Sequence, residues 1–183
     1  MSGAAGSTPP KIVSTFRWIP DKGEAGQLYT SIAWWVTPDL SIGADYRIRT
    51  EDLNANVTWR AVSEDPSGWR PAVIMGSSVD DYTFGNDELE SRAYFATASK
   101  SILGIDTLHT TFSPYAGAVY VDELGELRPL VGLNVGTSIG SILVQYSGTD
   151  VHLSVTRSLG NGFSISGILW GMDLPGVGLR YSF

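Results

Sequence analysis

Hydrophobic and polar residues alternate along nearly the whole chain. Leu40, Ile42, Ala44, Tyr46 and Ile48 interleave with Ser41, Gly43, Asp45, Arg47 and Arg49. Leu53, Ala55, Val57, Trp59 and Ala61 interleave with Asn54, Asn56, Thr58 and Arg60. The same beat runs through Val151, Leu153 and Val155, and through Val177, Leu179, Tyr181 and Phe183. A period of two is the signature of strands with one apolar and one polar face, and no segment shows the 3.6-residue repeat of a helix. The pattern predicts strands over 11–19, 27–36, 40–49, 53–62, 69–79, 91–100, 104–112, 127–136, 140–147, 151–158, 163–172 and 176–183. That makes twelve, with ten as the alternative if 104–126 is partly loop. Residues 1–10 read as a flexible leader and 11–183 as one domain.

Alternation alone fits a soluble sandwich or a membrane barrel. Three features favour the barrel. Full charges stand in mid-strand on the polar face (Asp45, Arg47, Arg60) while the opposite face is almost wholly apolar, as a lipid-facing wall around a wet lumen requires. Aromatic residues gather near strand ends: Trp18, Trp34, Trp35, Trp59, Trp69, Trp170 and Tyr181. Amphipathic rings favour the headgroup level, so Trp34, Trp59, Tyr181 and Phe183 are expected in lipid-facing girdles. The chain ends on an alternating segment whose last residue is Phe183. With this terminal aromatic strand, residues 11–183 resemble Gram-negative outer-membrane β-barrels. That resemblance implies an all-β, antiparallel, up-and-down transmembrane barrel in the bacterial outer membrane. It also implies recognition of the last strand by the barrel-assembly machinery. A narrower likeness rests on Ala98–Ser99–Lys100 and Val144–Gln145–Tyr146–Ser147–Gly148. These stretches resemble the YjbH-like barrel proteins associated with exopolysaccharide, and imply a surface-binding role as an alternative.

Twelve is an even count, as expected for a bacterial barrel with both termini on the periplasmic side. In this register the acidic segments 80–90 and 113–126 become outer loops, while Thr37–Asp39, Lys100–Gly104 and Leu159–Gly162 become short inner turns. Outer connections hold most of the acidic side chains, including Asp80, Asp81, Asp87, Glu88, Glu90, Asp122, Glu123 and Glu126. Their carboxylates suit weak Ca²⁺ or Mg²⁺ binding and bridging to lipopolysaccharide phosphates. No EF-hand spacing is present, and no other cofactor is expected.

Composition narrows the remaining choices. Cysteine is absent, which removes disulfides, thiolate metal sites and cysteine nucleophiles. The net charge of −7 leaves no basic footprint for nucleic acid. No stretch approaches the roughly 18 apolar residues of a membrane helix. The opening residues lack the charged-then-apolar pattern of a signal peptide, although an outer-membrane protein is expected to be exported with one.

The candidate chemistry lies on the polar face. Arg17, Arg47, Arg49, Arg60 and Arg180 are expected to form a basic stripe along the lumen wall, with Asp45, Asn54 and Asn56 as partners. His152 joins the same lining. Two readings follow: a small passive pore for anionic solutes, or a structural barrel with a salt-bridged polar interior. A third reading is a lipid hydrolase or acyltransferase built on His152 with Ser154, or on His109 near Thr107 and Thr111. No nucleophile elbow is present, though a barrel enzyme would not need one; a strand histidine is more often a polar lumen residue than a base, so no catalytic residue is assigned.

Overall fold

The computed structural model describes residues 11–22, 27–79, 92–103, 109–122 and 124–183. The strands are β1 (Ile12–Trp18), β2 (Leu28–Trp35), β3 (Leu40–Arg47), β4 (Asp52–Val62), β5 (Ala72–Ser78), β6 (Ala93–Ser99), β7 (Ile102–Leu103), β8 (Thr111–Val121), β9 (Glu126–Thr137), β10 (Gly140–Tyr146), β11 (Val151–Gly160), β12 (Phe163–Trp170) and β13 (Leu174–Ser182). Each long strand pairs antiparallel with its neighbours in the chain. β6 pairs with β8 over Ala93–Ser99, and β1 pairs with β13 from Val13↔Ser182 to Trp18↔Val177. The result is a closed ring of twelve strands. β7 is a two-residue spur on the foot of β8.

Among the described residues, closure gives each of the twelve wall strands a hydrogen-bonded neighbour on both sides. Both chain ends lie at one rim, where the Lys11 amide donates to the Phe183 carbonyl at 3.1 Å. The turns 36–39, 63–71 and 138–139 share this terminal rim, as does the β11–β12 turn. There Gly160, Asn161 and Gly162 all take positive φ, as the Asn-Gly pair requires of a tight hairpin. The far rim carries the connections 48–51, 122–125, 147–150 and 171–173.

One stretch departs from the sequence expectation. The predicted strand 104–112 is not the seventh wall strand, and 113–126 is not an outer loop. The wall strand is Thr111–Val121, joined to β9 by the turn 122–125. Alternation is present here: Ser113, Tyr115, Gly117, Val119 and Val121 face inward while Phe112, Pro114, Ala116, Ala118 and Tyr120 face outward. Small residues blunt its contrast, and Pro114 reads as a breaker although the wall accommodates it. The next wall strand after Lys100 consequently begins at Thr111 rather than at residue 104. Residues 104–108, with Thr107, lie outside the described residues, as does the acidic segment 80–90. Twelve strands survive the shift because β8 replaces the misplaced one in the same direction.

The wall is inverted relative to a protein that folds around a dry centre. Ile32, Ile42, Val57, Val131, Val144, Val155 and Leu179 are exposed on the outer surface. Asp45, Arg47, Arg17 and His152 are buried within. Outward aromatics form two rims. Trp18, Tyr94, Tyr120 and Tyr146 sit at strand ends near the far rim. Trp34, Trp59, Phe112, Phe163 and Phe183 sit near the terminal rim, where Tyr181 stacks between Phe163 and Phe183 at 4.2 and 4.3 Å. Trp170 does not belong to either rim. It turns inward and is 1 % exposed, because Trp170 pairs with Leu174 on the lumen side of the ladder. Trp35 likewise shares the inward register of Ser41. Trp69 lies in the exposed 63–71 turn rather than in a strand.

Candidate functional site

The lumen is stratified along the barrel axis. Near the far rim, almost every strand contributes a buried side chain. Asp45 on β3 accepts hydrogen bonds from the Tyr29 hydroxyl at 2.6 Å, Asn56 Nδ2 at 2.6 Å and the Ser78 hydroxyl at 3.0 Å. These donors come from β2, β4 and β5, so one carboxylate ties four strands together. A buried carboxylate is tolerable only when its oxygens are this well supplied. Arg47 donates to the Val79 carbonyl at 2.7 Å, and Arg17 lies over the Tyr29 ring at 4.6 Å.

The opposite wall repeats the theme. On β8, Tyr115 passes over Gly132 of β9 to donate to Gln145 Oε1 on β10 at 2.6 Å. Gly132 is required there, since a Cβ would stand 2.5 Å from the Tyr115 ring and hydroxyl. Phe95, Ile74, Ala93 and Val119 form a small apolar cluster beside it. Beyond β1, the chain folds inward: Ile19 and Lys22 are buried, and Lys22 Nζ stands 3.1 Å from the centre of the Trp170 ring. Trp170 in turn packs on His152 with ring centres 4.2 Å apart.

The surroundings of His152 fix its proton. The Gly171 amide donates to Nδ1 at 3.1 Å, so Nδ1 accepts and Nε2 carries the hydrogen. Nε2 then donates to Ser147 Oγ at 2.9 Å, and that hydroxyl donates to the Asp150 carbonyl at 3.3 Å. A histidine acting as base toward a serine needs the reverse arrangement, with its free nitrogen accepting. Here it splices the 147–150 turn to the 171–173 turn. His109 sits at positive φ outside any strand, exposed, and borders a second cavity of about 270 Å³ with Thr111, Ser113 and Asn134.

Toward the terminal rim the lumen opens into a cavity of about 570 Å³. Its floor is Arg17, Tyr29 and Ile168, all buried, and its mouth is at Gly162 and Ser182. Ser154, Thr156 and Ser158 descend one wall on β11, facing Ser164 and Ser166 on β12. Arg180 on β13 projects into the same space from beside Thr15. Gly178 keeps the wall thin: a Cβ there would meet Ile168 and Ser166 only at 3.5 Å.

The structure therefore places Arg17, Asp45, Arg47, Asn54, Asn56, Arg60, His152 and Arg180 on the lumen face. Arg49 is not among them. β3 ends at Arg47, and Arg49 falls in the exposed 48–51 turn, where Glu51 takes φ +60°. The arginines do not make one stripe either. Arg17 and Arg47 lie near the far rim, Arg180 near the terminal rim, and Arg60 lies 3.7 Å from Asp39 in a terminal-rim turn. Sequence reasoning overlooked the hydroxyl ladder. Its signal is the S-x-T-x-S of Ser154–Ser158 and the S-x-S of Ser164–Ser166, in register with inward positions.

At the terminal rim, Glu64 is clamped from two sides. Its Oε1 accepts from Lys100 Nζ at 3.0 Å and from the Ser101 amide at 2.8 Å. Burial alone would raise the Glu64 carboxyl, but the Ser101 amide and the Lys100 ammonium outweigh it and hold the group below its ordinary value. Asp65 beside it is also lowered, by the hydroxyl and amide of Ser67. Among the described residues, no group of three or more His, Asp or Glu side chains is arranged to hold a metal ion. Comparison of the chain with family models, with curated proteins and with solved structures found no match.

Proposed function

We propose that the chain is a β-barrel of the Gram-negative outer membrane, with its termini toward the periplasm, and that it serves as a closed structural barrel with a polar interior. The observation that carries this reading is the inversion of the wall. The same strands turn Ile, Leu and Val outward and Asp, Arg and His inward. A water-soluble barrel would gain nothing from that arrangement, whereas a bilayer rewards the outward apolar band and the aromatic rims. Phe183 at the edge of the closing strand suits recognition by the assembly machinery, and the acidic far rim suits divalent cations bridging lipopolysaccharide phosphates.

The sealed reading rests on the far-rim layer. His152, Trp170, Arg47 and Asp45 are at most 2 % exposed. A water-filled passage running past them would leave their surfaces accessible, so the layer acts as a septum. The cationic mouth favours a second reading, a small anion-selective pore that opens when the layer shifts. Planar-bilayer recording separates the two. A silent bilayer over the full voltage range is expected. A defined open level with anion preference, lowered by Arg60→Ala and Arg180→Ala, would replace the structural reading with the pore.

A further inference from the structure

The cavity at the terminal rim has a composition at odds with the rest of the molecule. The chain carries −7 overall, yet among the described residues no Asp or Glu lines this space. Two arginines and ten hydroxyl side chains do. Arg17, at the floor, is engaged by the Tyr29 ring. Arg180 is different: among the described residues its guanidinium makes no hydrogen bond and no ion pair, and it projects into the open part of the cavity. Of the carboxylates, Asp45 in the lumen receives three donors, and Glu64 at the terminal rim receives two on Oε1. Arg180, exposed to the cup's solvent, therefore presents its donors to a carboxylate-free space.

The hydroxyls have a definite layout. Thr156 and Ser166 bond each other at 2.7 Å, which fixes one rung of the β11–β12 ladder. Ser158 and Ser164 form the next rung toward the mouth, opposite each other in register. Ser182 lies two residues beyond Arg180 on the same strand face. Each hydroxyl both donates and accepts, whereas guanidinium only donates, in a fork that fits two anionic oxygens. The set is matched to a molecule bearing several hydroxyls and one anionic head. A volume of about 570 Å³ falls in the usual range of small-ligand sites and admits a mono- or disaccharide rather than a polymer.

We infer that this cup is a binding site for a small hydroxylated anion, a sugar acid or sugar phosphate, held at its anionic head by Arg180 and along its hydroxyls by Ser158, Ser164 and Ser166. The ligand enters at the terminal rim, and the far-rim septum stops it from passing through. In the membrane orientation proposed above, this makes the cup accessible from the periplasm. The binding chemistry itself belongs to the lumen wall and does not depend on that orientation.

The test uses the full chain refolded in detergent micelles, with ligand binding followed by saturation-transfer NMR and calorimetry. The probes are glucuronate, glucose 6-phosphate, glucose and acetate. Glucuronate or glucose 6-phosphate should bind at least tenfold more tightly than glucose or acetate, and the better of the two identifies the head group. Arg180→Gln should weaken that anion at least tenfold while leaving glucose unchanged. Ser158→Ala/Ser164→Ala, which retains Arg180, should narrow the margin over acetate. Equal binding of glucose, no binding of any probe at tens of millimolar, or an Arg180→Gln protein that binds as before would each overturn the inference. Failure to fold is read separately from heat-dependent gel mobility, and the double serine variant then carries the decision. A conducting channel in the bilayer experiment would defeat the sealed-barrel reading and leave the binding result standing.

Discussion

Gly132 shows how much of the interior hangs on one missing carbon. The Tyr115 ring lies across it to reach Gln145, so its hydrogen atom is the only side chain the crossing permits. Gly132→Ala forces the ring and the neighbouring strand apart, and overpacking of this sort costs about 1–3 kcal/mol. We expect a lowered thermal midpoint in micelles, with the loss at Tyr115 visible as increased exposure of its ring. An unchanged midpoint would mean that the crossing is not tight. At this scale the sequence was partly transparent. The inward positions of Asp45, Asn56, Arg60 and His152 follow directly from alternation. The far-rim packing did not, since Tyr115 and Gln145 lie 30 positions apart and only the register brings them together. Arg49 was misread because alternation continues past the point where the strand ends: the left-handed Glu51 turns the chain before Arg49 can join the wall.

Among the elements, the two longer terminal-rim connections are held by Glu64. Its carboxylate joins the 63–71 turn to Lys100 and Ser101, just past the end of β6. Because the folded carboxyl is held below its ordinary value of 4.5, the clamp is fully present above that value and is lost as pH falls through the lower folded one. Glu64→Gln should cost about 1.5 kcal/mol at pH 7, the usual worth of hydrogen bonds to a charged group, and progressively less as the pH falls and the wild-type carboxyl takes up its proton. Urea unfolding across the acid range measures the trend; a loss that does not shrink with falling pH would show that charge plays no part. Strand existence was legible almost everywhere because a two-sided wall imposes a strict period. Strand position was not legible between residues 100 and 126. There Ala116, Gly117 and Ala118 remove the apolar contrast, and pairing with β6 and β9 settles the register instead.

For the whole molecule, the direction of burial is what supports the proposed membrane environment. Val155 lies at the middle of β11 and faces outward, half exposed, whereas Val151 lies near the far rim on the same face. In a bilayer, Val155→Arg should cost about 2–4 kcal/mol and Val151→Arg no more than about 1. Folding into lipid vesicles, followed by gel mobility and tryptophan fluorescence, reads both. Equal, small effects at the two depths would place the outer surface in water and remove the membrane assignment.

The seam between β1 and β13 has one more implication. The ring is completed by joining residues 13–18 to residues 177–182, the two most distant parts of the wall. Loop closure over such a span is slow, and it brings no reward until both ends are in place. Closure of the ring is therefore the late step of folding. In the membrane reading proposed above, insertion is expected to follow the pairing of the last strand with the first.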